Sequence, residues 1–223
     1  MEWSPIILTF QLALITTVLL FLASVPLAYW LSRTNSKIKP VIETLVSMPL
    51  VLPPTVIGFY LLVALSPRNQ FGAFLSQYLG LELLFSFEGL VLASIIYSLP
   101  FMVHPIQSGL TLLPDSIREA SFVLGKSRIT TFLKVELPNI KNNVLTGLVL
   151  SFAHTIGEFG LVLMIGGNIP DETRVASIAI YDEVEALNYS TANTYSMILF
   201  AVTFIILLGV YFINGKNLNK TWR

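Results

Sequence analysis

The sequence contains no cysteine, which excludes disulfide bonds and thiolate metal sites. Charged residues are also scarce, at 12% of the 223 residues, and soluble domains carry about twice that fraction. There is no Gly-x-x-x-x-Gly-Lys-Ser/Thr motif with which to bind ATP. Fixed-period repeats, low-complexity segments and linkers are absent too, so we expect a single domain over residues 1–223. Hydrophobic residues make up 54% of the chain, which indicates an integral membrane protein.

Five apolar runs are long enough to cross a bilayer, which takes about 20 residues. Their hydrophobic residues do not alternate with a period of two, and this favours helices over a barrel. We therefore predict an all-α integral membrane protein with five transmembrane helices. The predicted spans are residues 6–31, 45–65, 89–110, 144–165 and 195–213.

Basic residues sort to one side of these five spans. Eleven of the 13 Lys and Arg residues follow span one, lie between spans three and four, or end the chain. Only Arg68 and Arg174 fall on the other side, together with eight acidic residues. The positive-inside rule then places the N-terminus outside the cell and the C-terminus in the cytoplasm. A six-span arrangement would break this sorting.

The polar segment between spans three and four predicts a pair of short helices. Ser116 followed by Glu119 predicts a capping box at the start of the first helix, and Gly125 predicts a left-handed position at its end. A second helix is predicted to start near Ser127 and to end before Pro138. Helices of about nine residues are unstable alone in water. The segment therefore requires a soluble partner at the membrane face, unless it is an ordinary hairpin between spans.

Span two contains Pro49, Pro53 and Pro54, which argue against a continuous α-helix. Broken backbone at membrane depth is tolerated only inside protein or beside a water-filled cavity. Two interpretations remain open: a kinked helix that packs in the bundle, or a helix that lines a conduit.

Span four contains His154 and Glu158, whose i, i+4 spacing predicts a shared helix face. An ionisable residue inside a span is costly unless it pairs or faces water. Gly157 and Gly160 beside it predict close approach by a neighbouring helix. The pair could pack helices, gate a conduit, or serve an intramembrane enzyme. Zinc takes at least three protein ligands, so we predict no metal site and no catalytic residue.

The segment at about 114–138 contains a motif whose residues are separated by fixed spacings. Its residues are Glu119-Ala120-Ser121, then Gly125, Val135 and Leu137-Pro138. This order is similar to the coupling loop of ABC importer permeases. In that family the loop sits in a cleft of a cytoplasmic ATPase and transmits its closure to the membrane helices. Ser121 and Val135 replace the usual Ala and Ile with residues of the same size class. The resemblance implies an ABC importer permease fold with these residues coupling the ATPase.

Three further runs, residues 48–58, 151–160 and 167–174, extend the resemblance to the molybdate branch of these permeases over almost the full chain. At the position of His154 that branch more often has Arg. The third run implies an extracytoplasmic loop containing Asn168, Pro170 and Arg174. The sister sulfate/thiosulfate permeases, which usually lack the double proline and the Asn-Ile-Pro loop, are the alternative.

The resemblance implies a permease subunit that carries molybdate or tungstate through the inner membrane by alternating access. The implied partners are a second copy of the chain, two cytoplasmic ABC ATPase subunits that hold ATP and Mg, an extracytoplasmic oxyanion-binding protein and the lipid bilayer, with no nucleic acid. The chain itself would hold no cofactor. Two alternatives come from other classes: an intramembrane enzyme using His154 and Glu158, and a packing subunit in which the Glu119 segment has no role.

Overall fold

The computed structural model describes residues 2–218, and every regular element within that range is helical. Lys220 and Arg223, two of the basic residues that predict the orientation, lie outside it. The elements are α1 Ser4–Arg33, α2 Lys39–Val51, α3 Pro54–Leu65, α4 Gln70–Leu79, α5 Phe87–Leu112, α6 Asp115–Val123, α7 Arg128–Thr131, a π-helical turn Phe132–Glu136, α8 Leu137–Asn139, α9 Lys141–Ile156, α10 Gly160–Gly166, α11 Ala176–Glu185 and α12 Tyr189–Leu218.

Three of these helices, α1, α5 and α12, are each long and apolar enough to cross a membrane. Two helix pairs pass the same test together, but α2 and α3 meet at a bend of 115° and α9 and α10 at one of 63°. These elements lie where the five spans are predicted. The residues predicted as spans two and four form bent helix pairs rather than straight helices.

The α5 helix packs against both α1 and α9, which also contact each other. A cluster of fully buried apolar side chains fills this junction, including Leu20, Leu31, Met102 and Ile106. Gly147 of α9 lies so close to α5 that an added Cβ would be 3.1 Å from Met102 Sδ and 3.2 Å from its carbonyl oxygen. Small residues at such contacts let membrane helices approach closely. The α1–α5–α9 bundle is thus the most extensively packed part of the described chain.

The break between α2 and α3 follows from the prolines, as the sequence predicts. Leu52 precedes Pro53 and takes an extended conformation, with φ −75° and ψ 136°, because a residue before proline is pushed out of the helical region. Pro54 then begins α3 at a position where its missing N–H costs nothing. Pro49 is buried within α2.

The break between α9 and α10 was not predicted and lies at residues 157–159. Gly157 ends α9, its N–H reaching the carbonyls of both Ala153 and His154. The two breaks lie against each other: a Cβ on Gly160 would be 3.4 Å from Pro54 Cβ. Helices α3 and α10 therefore pack together just beyond their breaks.

The last helix, α12, leaves most of its apolar surface uncovered. Only 6% of its most apolar 18-residue window is buried within the chain. It contacts α11 and, more lightly, α9. Such a surface requires lipid or another protein chain to cover it.

Candidate functional site

The segment between α5 and α9 folds into two short helical pieces, as predicted, but its first helix starts differently. Pro114 is the N-cap of α6, and no side chain caps that end. The predicted capping box of Ser116 and Glu119 is therefore wrong. Pro114 holds the extended conformation from which the helix starts, with φ −59° and ψ 135°. Asp115 then places a carboxylate in the first turn, where the helix dipole favours it.

The turn between the two pieces follows the prediction. Gly125 has φ +73°, a left-handed conformation that costs glycine little. The turn is closed by a hydrogen bond of 3.1 Å from the Lys126 amide to the Ser121 carbonyl. The Ser127 side chain then caps α7 by accepting from the Thr130 amide at 3.2 Å.

The second piece does not end before Pro138, and that prediction is wrong. Its α-helical start passes into the π-helical turn Phe132–Glu136 and then into Leu137–Asn139. Pro138 thus lies in the first turn of a new helical stretch, where a missing N–H is tolerated. Helical structure therefore continues almost without interruption towards α9.

Of the six predicted coupling residues, two face inward and four face out. Ser121 is 5% exposed, and its Oγ lies 2.9 Å from Thr131 Oγ1, which joins α6 to the start of the second piece. Leu137 is half-buried against the cluster under α1 and α5. The four exposed residues are Glu119, Ala120, Gly125 and Pro138.

Apolar side chains stand out from this otherwise polar segment. Val123, Leu124 and Ile129 are 87%, 75% and 73% exposed and surround the Gly125 turn. Apolar groups this exposed on a polar surface mark an interaction site.

Residues 120–127 read Ala-x-x-x-x-Gly-Lys-Ser and so differ from a phosphate-binding loop by one residue. The structure gives them another role. Residues 120–123 are the last turn of α6, and the Leu124 amide donates to the Ala120 carbonyl at 3.1 Å. These amides are used within the helix and do not form an anion-binding loop.

Arg33, at the end of α1, joins the segment to the bundle, although the sequence did not identify it as a site residue. Its Nη2 donates to Glu136 Oε1 at 2.5 Å, and its Nη1 lies 3.4 Å from Asp115 Oδ1. Glu136 is 1% exposed. The partners are 82 and 103 residues away along the chain, so no local spacing could have revealed them.

His154 and Glu158 do not share a helix face, and that prediction is wrong. The α9 helix ends at Ile156, which leaves Glu158 in the break before α10. Each side chain instead meets a serine of α5. Ser94 Oγ donates to Glu158 Oε2 at 2.8 Å, and Ser98 Oγ lies 3.0 Å from His154 Nδ1.

Glu158 is buried inside protein and links three parts of the fold. It is 4% exposed, and its carbonyl accepts from Ser177 Oγ of α11 at 2.6 Å. Its Oε1 has no hydrogen-bond partner among the described residues. Within residues 2–218 no group of three His, Cys, Asp or Glu side chains is placed to hold a metal ion. This arrangement favours the structural interpretation over direct contact with a transported anion.

The two glycines beside Glu158 differ. Gly160 is in contact with Pro54 and Thr55 of α3, as the predicted close approach requires. Within the described residues of this chain no neighbouring helix approaches Gly157, and the atoms nearest to an added Cβ are carbonyl oxygens of its own helix, at 3.8 Å or more. Gly157 ends α9 instead.

The loop after α10 brings two of its three predicted residues together. Arg174 Nε donates to Asn168 Oδ1 at 2.7 Å, and Asn168 Nδ2 donates to Asp182 Oδ2 at 2.8 Å. Pro170 is exposed at the tip and takes no part in this network. The polar chain fixes the loop against α11.

Comparison with known proteins relates almost the whole chain to transport components. Residues 21–223 match the family described as binding-protein-dependent transport system inner membrane component. The molybdenum transport system permease protein ModB of Azotobacter vinelandii is 46% identical over 94% of this chain and 93% of its own length. ModB of Haemophilus influenzae is 34% identical over 91% of this chain and 88% of its own length. A solved bacterial ABC transporter involved in alginate import shares the fold, with a TM-score of 0.79 and 18% identity over 96% of this chain and 78% of its own.

Proposed function

Because this chain belongs to the family of binding-protein-dependent transport system inner membrane components, we propose that it is the permease subunit of an ATP-driven importer of molybdate or tungstate. The assignment of the substrate rests on one observation, the 46% identity with a molybdenum permease over nearly the whole of both chains. Family membership also favours a transport component of the inner membrane over an intramembrane enzyme.

The proposed topology is five crossings within one domain, residues 1–223, with the N-terminus outside and the C-terminus in the cytoplasm. Each bent pair then counts as one crossing, which gives five with α1, α5 and α12. The distribution of Lys and Arg supports this orientation. It places the coupling segment, about residues 114–138, in the cytoplasm, and it places the 168–174 loop outside.

The coupling segment is proposed to dock in a cleft of a cytoplasmic ATPase. The exposed apolar side chains Val123, Leu124 and Ile129 support this, because a soluble partner would cover them. Glu119, Ala120 and Gly125 lie on the same exposed surface. Ser121, Leu137 and Pro138 hold its shape and its connection to α9. ATP and Mg would belong to the partner.

The remaining partners follow from the family and from the uncovered surfaces. The family description implies a binding protein. This protein is proposed to deliver the anion to the outer face, at the loop that contains Asn168, Pro170 and Arg174. A second copy of the chain would cover apolar surface such as that of α12 and would complete the conduit. The broken backbone at Pro53 and Gly157 is proposed to border that conduit, since such breaks are tolerated at membrane depth only within protein or beside water.

Reconstitution tests this proposal. The chain would be placed in liposomes with its ATPase and its binding protein, and ATP hydrolysis and uptake would be titrated with molybdate, tungstate and sulfate. We expect stimulation by molybdate and tungstate but not by sulfate. Stimulation by sulfate alone would identify a sulfate/thiosulfate importer, and failure to assemble with any ATPase would contradict the importer itself.

Substitution of Glu119 tests the coupling segment in the same assay. Glu119→Gln should reduce molybdate transported per ATP while the chain remains in the membrane. Lys37→Gln is the matched control, because Lys37 is also exposed on the proposed cytoplasmic side but lies outside the segment. If the two variants transport the same amount of molybdate per ATP, Glu119 has no role in coupling.

A further inference from the structure

Arg33 ends α1 where that helix meets the coupling segment, and its contacts reach both helical pieces of the segment. We infer that Arg33 is a positioning residue that ties the segment to α1, so that movement of the docked segment passes into the bundle through α1 as well as through α9. This inference rests on the proposed function, because it concerns how ATPase closure reaches the membrane.

Two contacts, one helical turn apart, join α1 to the π-helical turn. Tyr29 and Arg33 lie one turn apart on α1, and Phe132 and Glu136 lie at the two ends of the π-helical turn. The Tyr29 and Phe132 rings meet edge to face with centroids 4.8 Å apart. The Arg33–Glu136 ion pair closes the other end at 2.5 Å. Two contacts resist rotation as well as separation, so the turn must move with α1.

The burial of the pair indicates specificity more than stability. The Glu136 side chain is 1% exposed and that of Arg33 20%. A buried ion pair is seldom more stabilising than apolar residues of the same size, but loss of one partner leaves a costly unpaired charge. The pair therefore selects one seating of the coupling segment on α1 over alternatives that would strand Glu136.

Arg33 also reaches the first helix of the segment. Its Nη1 lies 3.4 Å from Asp115 Oδ1, and Arg118 Nη2 lies 3.0 Å from the same oxygen. One guanidinium thus contacts the first residue of α6 and the last residue of the π-helical turn. Arg33, at the end of α1, therefore holds both helical pieces of the docking surface.

The pair has unused hydrogen-bonding capacity. Arg33 Nε and Glu136 Oε2 are both buried without a partner among the described residues. Guanidinium and carboxylate groups pair most strongly through two parallel bonds, and only one is made here. The unpaired Nε and Oε2 atoms are the two that a second, parallel bond between these groups would join, so the same pair could hold the segment more tightly after a small change in its position.

Transport stoichiometry tests the inference in the reconstituted complex with ATPase and binding protein. Glu136→Gln keeps the shape of the side chain and removes its charge. We expect molybdate transported per ATP hydrolysed to fall about fivefold or more, the lower end of ordinary coupling between sites, while the ATPase still co-purifies. Exchange of the pair, Arg33→Glu with Glu136→Arg, should recover part of the loss. Lys39→Gln is the control, since the ion pair of Lys39 with Glu43 lies within α2.

A cross-link provides a second measurement that does not depend on charge. The chain has no cysteine, so Arg33→Cys with Glu136→Cys introduces the only two thiols. Without a cross-link, this double variant should transport less molybdate per ATP. A short bifunctional thiol reagent should join the two thiols and restore that amount.

Three results would overturn the inference. The first is an unchanged amount of molybdate transported per ATP in Glu136→Gln, and the second is a cross-linked protein that stays uncoupled. The third is loss of ATPase binding in Glu136→Gln, because the pair would then only shape the docking surface. Failure of the wild-type complex to hydrolyse ATP in response to the binding protein would instead refute the proposed function.

Discussion

Ser94 is predicted to contribute more to the stability of the fold than Ser98, although both serines are fully buried and lie about one turn apart on α5. Ser94 Oγ supplies the only hydrogen bond to the Glu158 side chain within the described residues, and Glu158 Oε1 already lacks a partner. Ser94→Ala therefore leaves a buried carboxyl with neither oxygen bonded, at a cost of about 1–3 kcal/mol. Ser98 Oγ contacts His154 Nδ1 and Thr155 Oγ1, but His154 is only half-buried and Thr155 keeps its bond to the Ser151 carbonyl. The loss after Ser98→Ala should therefore be about 0.6 kcal/mol, typical of hydrogen bonds between membrane helices.

The midpoint of thermal unfolding in detergent measures the difference. For a chain of this size each kcal/mol corresponds to about 2–4 °C, so Ser94→Ala should lower the midpoint by at least about 2 °C and Ser98→Ala by less. The decisive step is a double-mutant cycle with Glu158→Leu. Without the carboxyl, Ser94→Ala should cost little, which gives a coupling energy of about 1–2 kcal/mol. Equal effects of Ser94→Ala in the two backgrounds would refute the assignment of this bond.

Two further predictions concern glycines. Gly125 has open space around it but a φ of +73°, so Gly125→Ala should introduce backbone strain of about 1–2 kcal/mol. This strain should weaken ATPase binding about fivefold or more. Gly125→Asn, which tolerates that conformation, should weaken binding less, and equal binding by all three proteins would contradict the reasoning. Gly147→Leu places a side chain where Met102 already lies 3.1 Å from a Cβ, and overpacking should cost about 1–3 kcal/mol, read as a lower thermal midpoint. Met102→Ala should recover part of that loss; no recovery would mean that the Met102 side chain is not the obstacle.

The sequence reveals a broken helix only where the cause is local. Pro53 and Pro54 mark the first break, because proline both lacks an N–H and restricts the residue before it. The second break carries no proline, and Glu158 within it is held by Ser94 and Ser177 from helices distant in sequence. A residue spacing that assumes an unbroken helix therefore placed Glu158 on the wrong face.

The coupling segment shows the same division. Gly125 and Ser127 interact only with residues close to them in the sequence. Gly125 has the predicted left-handed turn, and the second helix starts at Ser127, as predicted. Ser116 does not cap the helix, because Pro114 precedes it and already fixes the backbone conformation from which α6 starts. The Arg33–Glu136 contact could not be anticipated, since it depends on where α1 ends in space relative to a turn 103 residues later.

The facing breaks at Pro53 and Gly157 place two interruptions of the helical backbone against each other. Beyond them, α3 and α10 are packed on each other, and both also contact α5, as α2 and α9 do. Any rotation of the two outer half-helices about the breaks would therefore have to change their packing on α5. With 12 residues, α3 extends about 18 Å from its break, so a rotation of about 10° would displace its far end by about 3 Å. In a closely packed interior a displacement of that size exchanges one set of side-chain contacts for another.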